Sequence, residues 1–346
     1  MGCRLVTDTK ISPRRDLPIG VALAGVIHTE ADAFDVDTRF RMVREAGVFD
    51  YVERSPPPGE IDLYRRASER YSLPIRAGSF YYVLGRDEAL LEWHLRVGRD
   101  LGSLVQNVQI LAQDTDGRDL TDQDIATFYL RFLELGERIG ITPCLEVHVN
   151  MWSEHFGRVE RVAALVERHG APFRMTLDHS HVIFKIDHPE EQAVAGMRAD
   201  IEDGELVLDP YQPNDVCSRW IECNYVRHAH ARSTVPANPR NVLAHHPDGR
   251  VGRGIQYSFL RPRAGEWHAE WNEQALEPWK EVMRRLMRHH AREAGSPLGQ
   301  ISTEFIPFTD YGCGARYSIF ENNVACARWL KETYVDVVEA ERPVVK

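Results

Sequence analysis

Short apolar runs recur along the chain, each followed by a loop and then by an amphipathic stretch. The first run, IGVALAGVI at 19–27, leads to DTRFRMVREAG at 37–47, which opens on a cap-forming Asp37 and closes on Gly47. The pairing repeats as FDYVER (49–54) with a helical stretch over 62–72, and PIRAGSFY (74–81) with one over 87–103. VQNVQIL (105–111) then precedes a helix over 122–140, and PCLEVHVN (143–150) one over 154–170. A sixth run, FRMTLDHSH (173–181), opens a looser region of about 182–222 with acidic and Pro-containing segments. The seventh run is NYVRHAHARS (224–233). A second long insertion passes through GRVGRGIQYSFL to a helix over 272–295, where Pro278 marks the true start or a kink. The eighth run is QISTEFIP (300–307), and a last helix covers 321–340.

Strands alternating with helices imply βαβ units and parallel pairing. Eight such units predict an α/β fold, a closed (β/α)₈ TIM barrel with long insertions after strands six and seven. The competing architecture is a doubly wound open sheet, but no G-x-G-x-x-G follows the first strand. No linker or composition shift divides the chain, so 1–346 is read as one domain with its barrel core at about 19–340.

A TIM barrel carries its active site at the C-terminal ends of the strands. In CLEVHVNMW the period of two puts Leu145, Val147 and Val149 on one face and Glu146 with His148 on the other. Strand six ends with Asp178, Ser180 and His181; strand seven carries His228 and His230; strand eight carries Glu304. Taken singly, a carboxylate at a strand end is more often an ion-pair or capping residue than a ligand. Taken together, carboxylates and histidines at one level of a closed ring resist burial unless a cation sits among them. A Glu, Asp, His, Glu set is mostly oxygen and suits Mn²⁺ or Mg²⁺, with Co²⁺ or Fe²⁺ also accommodated. Glu53 on strand two is expected to pair with an arginine, and His228 to pack in the barrel interior in a supporting role.

Composition adds mainly exclusions. The chain is 43% hydrophobic and 27% charged, with a formal net charge of -10. That balance disfavours nucleic acid as a partner, and with it a metal-dependent endonuclease on the same barrel, which needs a basic groove. The six cysteines (Cys3, Cys144, Cys217, Cys223, Cys313, Cys326) form no C-x-x-C pair. The first twenty residues have no apolar signal region and no run reaches membrane-spanning length, so a cytoplasmic protein with no membrane partner is expected.

These motifs resemble the sugar phosphate isomerase/epimerase group of xylose-isomerase-like barrels. LEVH is similar to its fifth-strand Glu, LDHSH to its sixth-strand Asp-x-x-His, HAHARS to its seventh-strand His-x-His, STEF to its eighth-strand Glu, and GRGIQY to a following G-x-G loop. The resemblance implies Glu146, Asp178, His230 and Glu304 as ligands of a divalent ion and a keto-sugar as substrate. Where the family often has an acidic residue after the seventh-strand histidine, this chain has Arg232 and Ser233. The Glu-x-His pair and the long insertions also resemble the catalytic subunit of bacterial C-glycoside deglycosidases. That resemblance implies Mn²⁺, His148 as general base, a 3-oxo-glycoside substrate, cleavage of its C–C bond, and a small β-sandwich partner subunit in an oligomer.

The shared chemistry is removal of a proton α to a carbonyl. Reprotonation makes the enzyme a ketose 3-epimerase or aldose–ketose isomerase, with Glu146 and Glu304 as carboxylate catalysts. Loss of a β substituent makes it a lyase, with His148 as the single base. His181 and His228 are expected to bind substrate or buttress ligands; Tyr257, Trp267 and Trp271 either stack on a flat aglycone or, as exposed Trp and Tyr more often do, cover a core edge or interface. The competing class is a non-catalytic sugar-binding barrel, which has no need of a buried anionic ring.

Overall fold

The computed structural model describes residues 16–341. Most of the N-terminal stretch read above as lacking a signal, together with Cys3, lies outside them. Eight parallel strands close a barrel: β1 (Ile19–Ala22), β2 (Tyr51–Glu53), β3 (Ile75–Tyr82), β4 (Val105–Ile110), β5 (Thr142–Glu146), β6 (Met175–Leu177), β7 (Val226–Ala231) and β10 (Ile301–Thr303). Around the ring they run β1-β10-β7-β6-β5-β4-β3-β2. A separate two-stranded antiparallel ribbon, β8 (Asn241–His245) and β9 (Val251–Gly252), follows β7.

The helices outside the ring are α1 (Val36–Ala46), α2 (Ile61–Tyr71), α3 (Glu88–Asp100), α4 (Asp122–Ile139) and α5 (Gly157–Arg168). Four short helices fill the span between β6 and β7: α6 (Ser180–Ile183), α7 (Pro189–Val194), α8 (Arg198–Glu202) and α9 (Val216–Glu222). The set closes with α10 (Glu277–Arg292) and α11 (Ile319–Ala340). The punctuation is local. Asp35, not Asp37, caps α1 by accepting the Thr38 N–H, Thr121 and Asp124 cap α4 reciprocally, and Pro278 sits in the first turn of α10. Among the described residues no helix is long and apolar enough to cross a membrane.

The strands are shorter than the apolar runs that predict them. The first run turns at Leu23–Gly25 into a 3₁₀ turn, and a Cβ on Gly25 would lie 2.0 Å from the Phe305 carbonyl oxygen. The fifth run leaves the sheet after Glu146 because the His148 N–H is taken by Ser153 Oγ at 3.1 Å. The sixth becomes α6 three residues past β6. The expected helix over 154–170 starts only at Gly157. Glu154 is drawn away from it: its carboxylate accepts the Asn150 N–H (2.6 Å) and pairs with Lys185 (3.0 Å) and Arg253.

Candidate metal centre

Parallel pairing brings every strand's C-terminal end to one mouth, and register sets the level of each side chain. Glu53 ends β2 and Glu146 ends β5, while Asp178 and Glu304 are the first residues past β6 and β10. His228 and His230, two apart on β7, pair with Thr176 and Ser302 on the flanking strands. Glu146, Asp178, His230 and Glu304 each offer a ligand atom, and these atoms all lie within 4.8 Å of one another. His230 Nδ1 is 3.0 Å from both Glu146 Oε1 and Glu304 Oε2. Glu146, Asp178 and His230 are fully buried, whereas the Glu304 side chain keeps 13% of its surface open.

Glu146 and Asp178 are aimed by hydrogen bonds. Asn107 Nδ2 and Gln109 Nε2 both donate to Glu146 Oε2 at 2.6 Å, which leaves Oε1 facing the cluster. Ser180 donates to Asp178 Oδ1 from its N–H (3.0 Å) and from its hydroxyl (2.5 Å). The Arg232 guanidinium engages Asp178 Oδ2 and lies 3.4 Å from Glu304 Oε2. Tyr311 stacks on that guanidinium, 4.2 Å from ring centroid to Cζ. Burial opposes ionisation of Asp178, but Arg232 and His181 outweigh it and hold its carboxyl well below the usual range. Burial likewise opposes charge on His230, yet Glu304, Glu53 and Glu146 raise it well above an ordinary imidazole. The position selects for positive charge.

The donor chemistry fits a divalent ion. Three carboxylates facing one buried point carry three negative charges, Arg232 supplies one positive charge, and a divalent ion supplies the other two. Three oxygens and one imidazole suit Mn²⁺, Mg²⁺, Co²⁺ or Fe²⁺.

Above the cluster opens a cavity of about 380 Å³, within the range of small-ligand sites. Its floor and walls include Glu53, Gln109, Arg232, Glu304 and His148, and its rim carries Phe80, Tyr81, Phe308 and Tyr311. His148 Nε2 is 3.0 Å from the Tyr311 hydroxyl, and Nδ1 is 2.5 Å from the Val149 carbonyl. Burial and the neighbouring His181 pull His148 down to about 4, so it is neutral at physiological pH.

No family model matches the sequence, and no curated protein matches it. Solved structures do. A xylose isomerase-like TIM barrel protein from Mycobacterium smegmatis in complex with magnesium superposes with a TM-score of 0.52 at 12% identity, over 94% of this chain and 98% of that one. The D-allulose 3-epimerase from Methylomonas sp. gives 0.51 at 14% identity, over 95% and 98%. The 3-keto-D-glucoside 4-epimerase from E. coli gives 0.51 at 11% identity, over 92% and 100%.

The fold is a xylose-isomerase-like TIM barrel.

Within that barrel the residues singled out from the sequence fall into separate places. Glu146, Asp178, His230 and Glu304 converge. His148 reaches the cavity, but from the loop after β5 rather than from the strand face. His181 does not line the cavity: it lies behind His148, with ring centroids 4.2 Å apart and Nε2 3.3 Å from Asp178. His228 lies deeper, with Nε2 3.1 Å from Glu53 Oε2. Among the described residues Glu53 pairs with no arginine; both its oxygens are taken by histidines from β7, three strands away around the closed ring, which reach it through the barrel interior. Of the two readings of the insertion aromatics, the structure takes the core-covering one and not the stacking one. Tyr257 and Trp267 are buried, and Trp271 packs against a cluster of Val235, Tyr257 and Leu276, away from the mouth. The rim aromatics come instead from β3 and from the loop after β10. Asn107 and Gln109 were legible by the period that exposed Glu146 and His148, since two amides one pleat apart are as misplaced in a buried parallel strand. Tyr311, in a loop, carried no such signal.

Proposed function

We propose that this chain is a divalent-metal-dependent enzyme that removes the proton α to the carbonyl of a keto-sugar, and that the reaction completed is elimination of an aglycone from a 3-oxo-C-glycoside. The observation that carries the single-base reading is how the two candidate bases are engaged. Glu146 Oε2 already accepts two amide hydrogens and Oε1 faces His230. It is thus oriented as a ligand, and it is not among the residues that line the cavity. His148 is neutral, borders the cavity and, among the described residues, meets only the Tyr311 hydroxyl through Nε2.

Glu146, Asp178, His230 and Glu304 would hold the ion, which when bound draws electron density from a ketone oxygen. His148 Nε2 takes the proton from the carbon beside the ketone. The electron pair left behind forms a double bond to the next carbon, whose bond to the aglycone breaks. The aglycone departs with that bond's electron pair and is protonated. Arg232 holds Asp178 and Glu304 in place and adds positive charge to the cavity floor. The rim aromatics give an apolar aglycone a surface to lie against.

A second reading, a ketose 3-epimerase, is favoured by Glu304, whose carboxylate is partly open to the cavity and is positioned to return a proton. Incubation in deuterated water separates the two. A 3-oxo-C-glycoside that releases aglycone, with ketoses left unlabelled, supports elimination. Deuterium entering a ketose without aglycone release supports the epimerase. Purified protein without a divalent ion, and Glu304→Gln with undiminished metal affinity, would remove the basis for both.

A further inference from the structure

Glu53 belongs to none of the roles above. It is buried at 2% exposure at the end of β2, and its two carboxylate oxygens face two different histidines. Oε1 is 2.9 Å from His230 Nε2, and Oε2 is 3.1 Å from His228 Nε2. The other nitrogen of His230, Nδ1, faces Glu146 and Glu304. One imidazole thus lies between a carboxylate behind it and a carboxylate cluster in front. Behind Glu53 the contacts continue through His228 to Ser302 Oγ (3.5 Å), which lies 2.9 Å from the Tyr51 hydroxyl. Tyr51 reaches that far because its ring lies across Gly20, where a Cβ would meet it at 2.3 Å.

A neutral imidazole has one N–H and one lone pair, on different nitrogens. A carboxylate accepts and cannot donate, so without an ion both nitrogens of His230 face acceptors; a cation at the cluster needs the Nδ1 lone pair, and the one hydrogen of the neutral ring then goes to the nitrogen facing Glu53. His228 follows the same logic: its Nδ1 is buried with no hydrogen-bond partner among the described residues, which costs less for a bare lone pair than for an orphaned N–H. We infer that Glu53 is a positioning residue that fixes His230 as the Nε2–H tautomer and so presents the Nδ1 lone pair to a cation held with Glu146, Asp178 and Glu304. It acts through His230 and need not touch substrate, although its edge reaches the cavity. Outer carboxylates of this kind orient a ligating ring and raise its basicity.

The inference rests on the metal-centre reading, and the test keeps the two apart. Chelator-stripped wild type and Glu53→Gln are titrated with Mn²⁺, with affinity and ions per chain as readouts and the thermal transition confirming that the variant folds. Expected is one ion per wild-type chain and roughly ten- to hundred-fold weaker binding in Glu53→Gln. Wild type that binds no ion overturns the centre and the inference with it. Wild-type affinity retained in a folded Glu53→Gln overturns the inference alone. Two ions per chain would make Glu53, His228 and His230, which also converge within 4.8 Å, a second site and Glu53 a ligand. A readout without any variant is the ring ¹⁵N spectrum of wild type loaded with Zn²⁺ as a diamagnetic stand-in. His230 protonated at Nε2 is expected; protonation at Nδ1 overturns the assignment.

Discussion

Arg253 ties together three segments that are far apart in sequence, and its replacement by methionine makes a demanding test. Its guanidinium pairs with Glu154 in the loop after β5 and with Glu191 in α7, and its Nη1 donates to Asn150 Oδ1 at 3.1 Å. Lys185, fully buried, lies 3.0 Å from Glu154 and 3.5 Å from Glu191. Burial alone would raise the Glu154 carboxyl; Arg253, Lys185 and the Asn150 N–H outweigh it and pull it from 4.5 to about 2. A carboxyl held that far down is worth about 3 kcal/mol at neutral pH. This agrees with the roughly 3–5 kcal/mol expected when one partner of a buried ion pair is removed. Arg253 supplies only part of that depression, but its loss also takes a partner from Glu191, so Arg253→Met is expected to lose on the order of 3 kcal/mol at pH 7, read as a lower denaturant midpoint at unchanged slope. Because the folded value is depressed, this stability is present above pH 4.5 and is lost as pH falls toward 2. The gap between variant and wild type should therefore narrow on acidification. A gap below about 1 kcal/mol at pH 7, or one that widens as pH drops below 4.5, would refute the reasoning. Asn150 has a positive φ of 62° and stands two residues from His148. The same substitution should thus lower turnover beyond its effect on stability, by loosening the loop that carries the base.

The base assignment makes its own predictions. His148→Gln should cut kcat by roughly a hundred-fold or more, as expected for losing a general base, while Mn²⁺ affinity stays within a few-fold; retained turnover would remove His148 from the mechanism. Since burial and His181 hold His148 near 4, the acid limb of kcat/KM in wild type should fall near pH 4 rather than near 6.5. Phe308→Ala and Tyr81→Ala, at side chains 56% and 50% exposed on the cavity rim, should raise KM for an aglycone-bearing substrate with the thermal transition nearly unmoved. Gly25→Ala should destabilise by roughly 1–3 kcal/mol as its Cβ is forced against the Phe305 carbonyl, measured by chemical denaturation.

The barrel was legible in the chain because its signal is periodic. Eight apolar runs alternating with capped amphipathic stretches leave few arrangements, and a parallel sheet buries both faces of each strand, so a polar residue there stands out. That contrast picked out Glu146, Asp178, His230 and Glu304, and it applied equally to Asn107 and Gln109. Local sequence did not decide where each strand stops, because the last apolar residues of a run pack equally well in a sheet or in a turn. The stop is set by contacts such as Ser153 taking the His148 N–H and Asn323 donating to the Gly25 and Phe305 carbonyls. Nor did sequence decide the partners of Glu53 and Arg232. Glu53 meets His228 and His230 only because ring closure brings β7 within three strands of β2, so that their side chains meet in the barrel interior, and Arg232 meets Asp178 only because β6 and β7 are neighbours. Periodicity is written in neighbouring residues. Pairing across a barrel depends on closure and register, which exist only once all eight strands are in place.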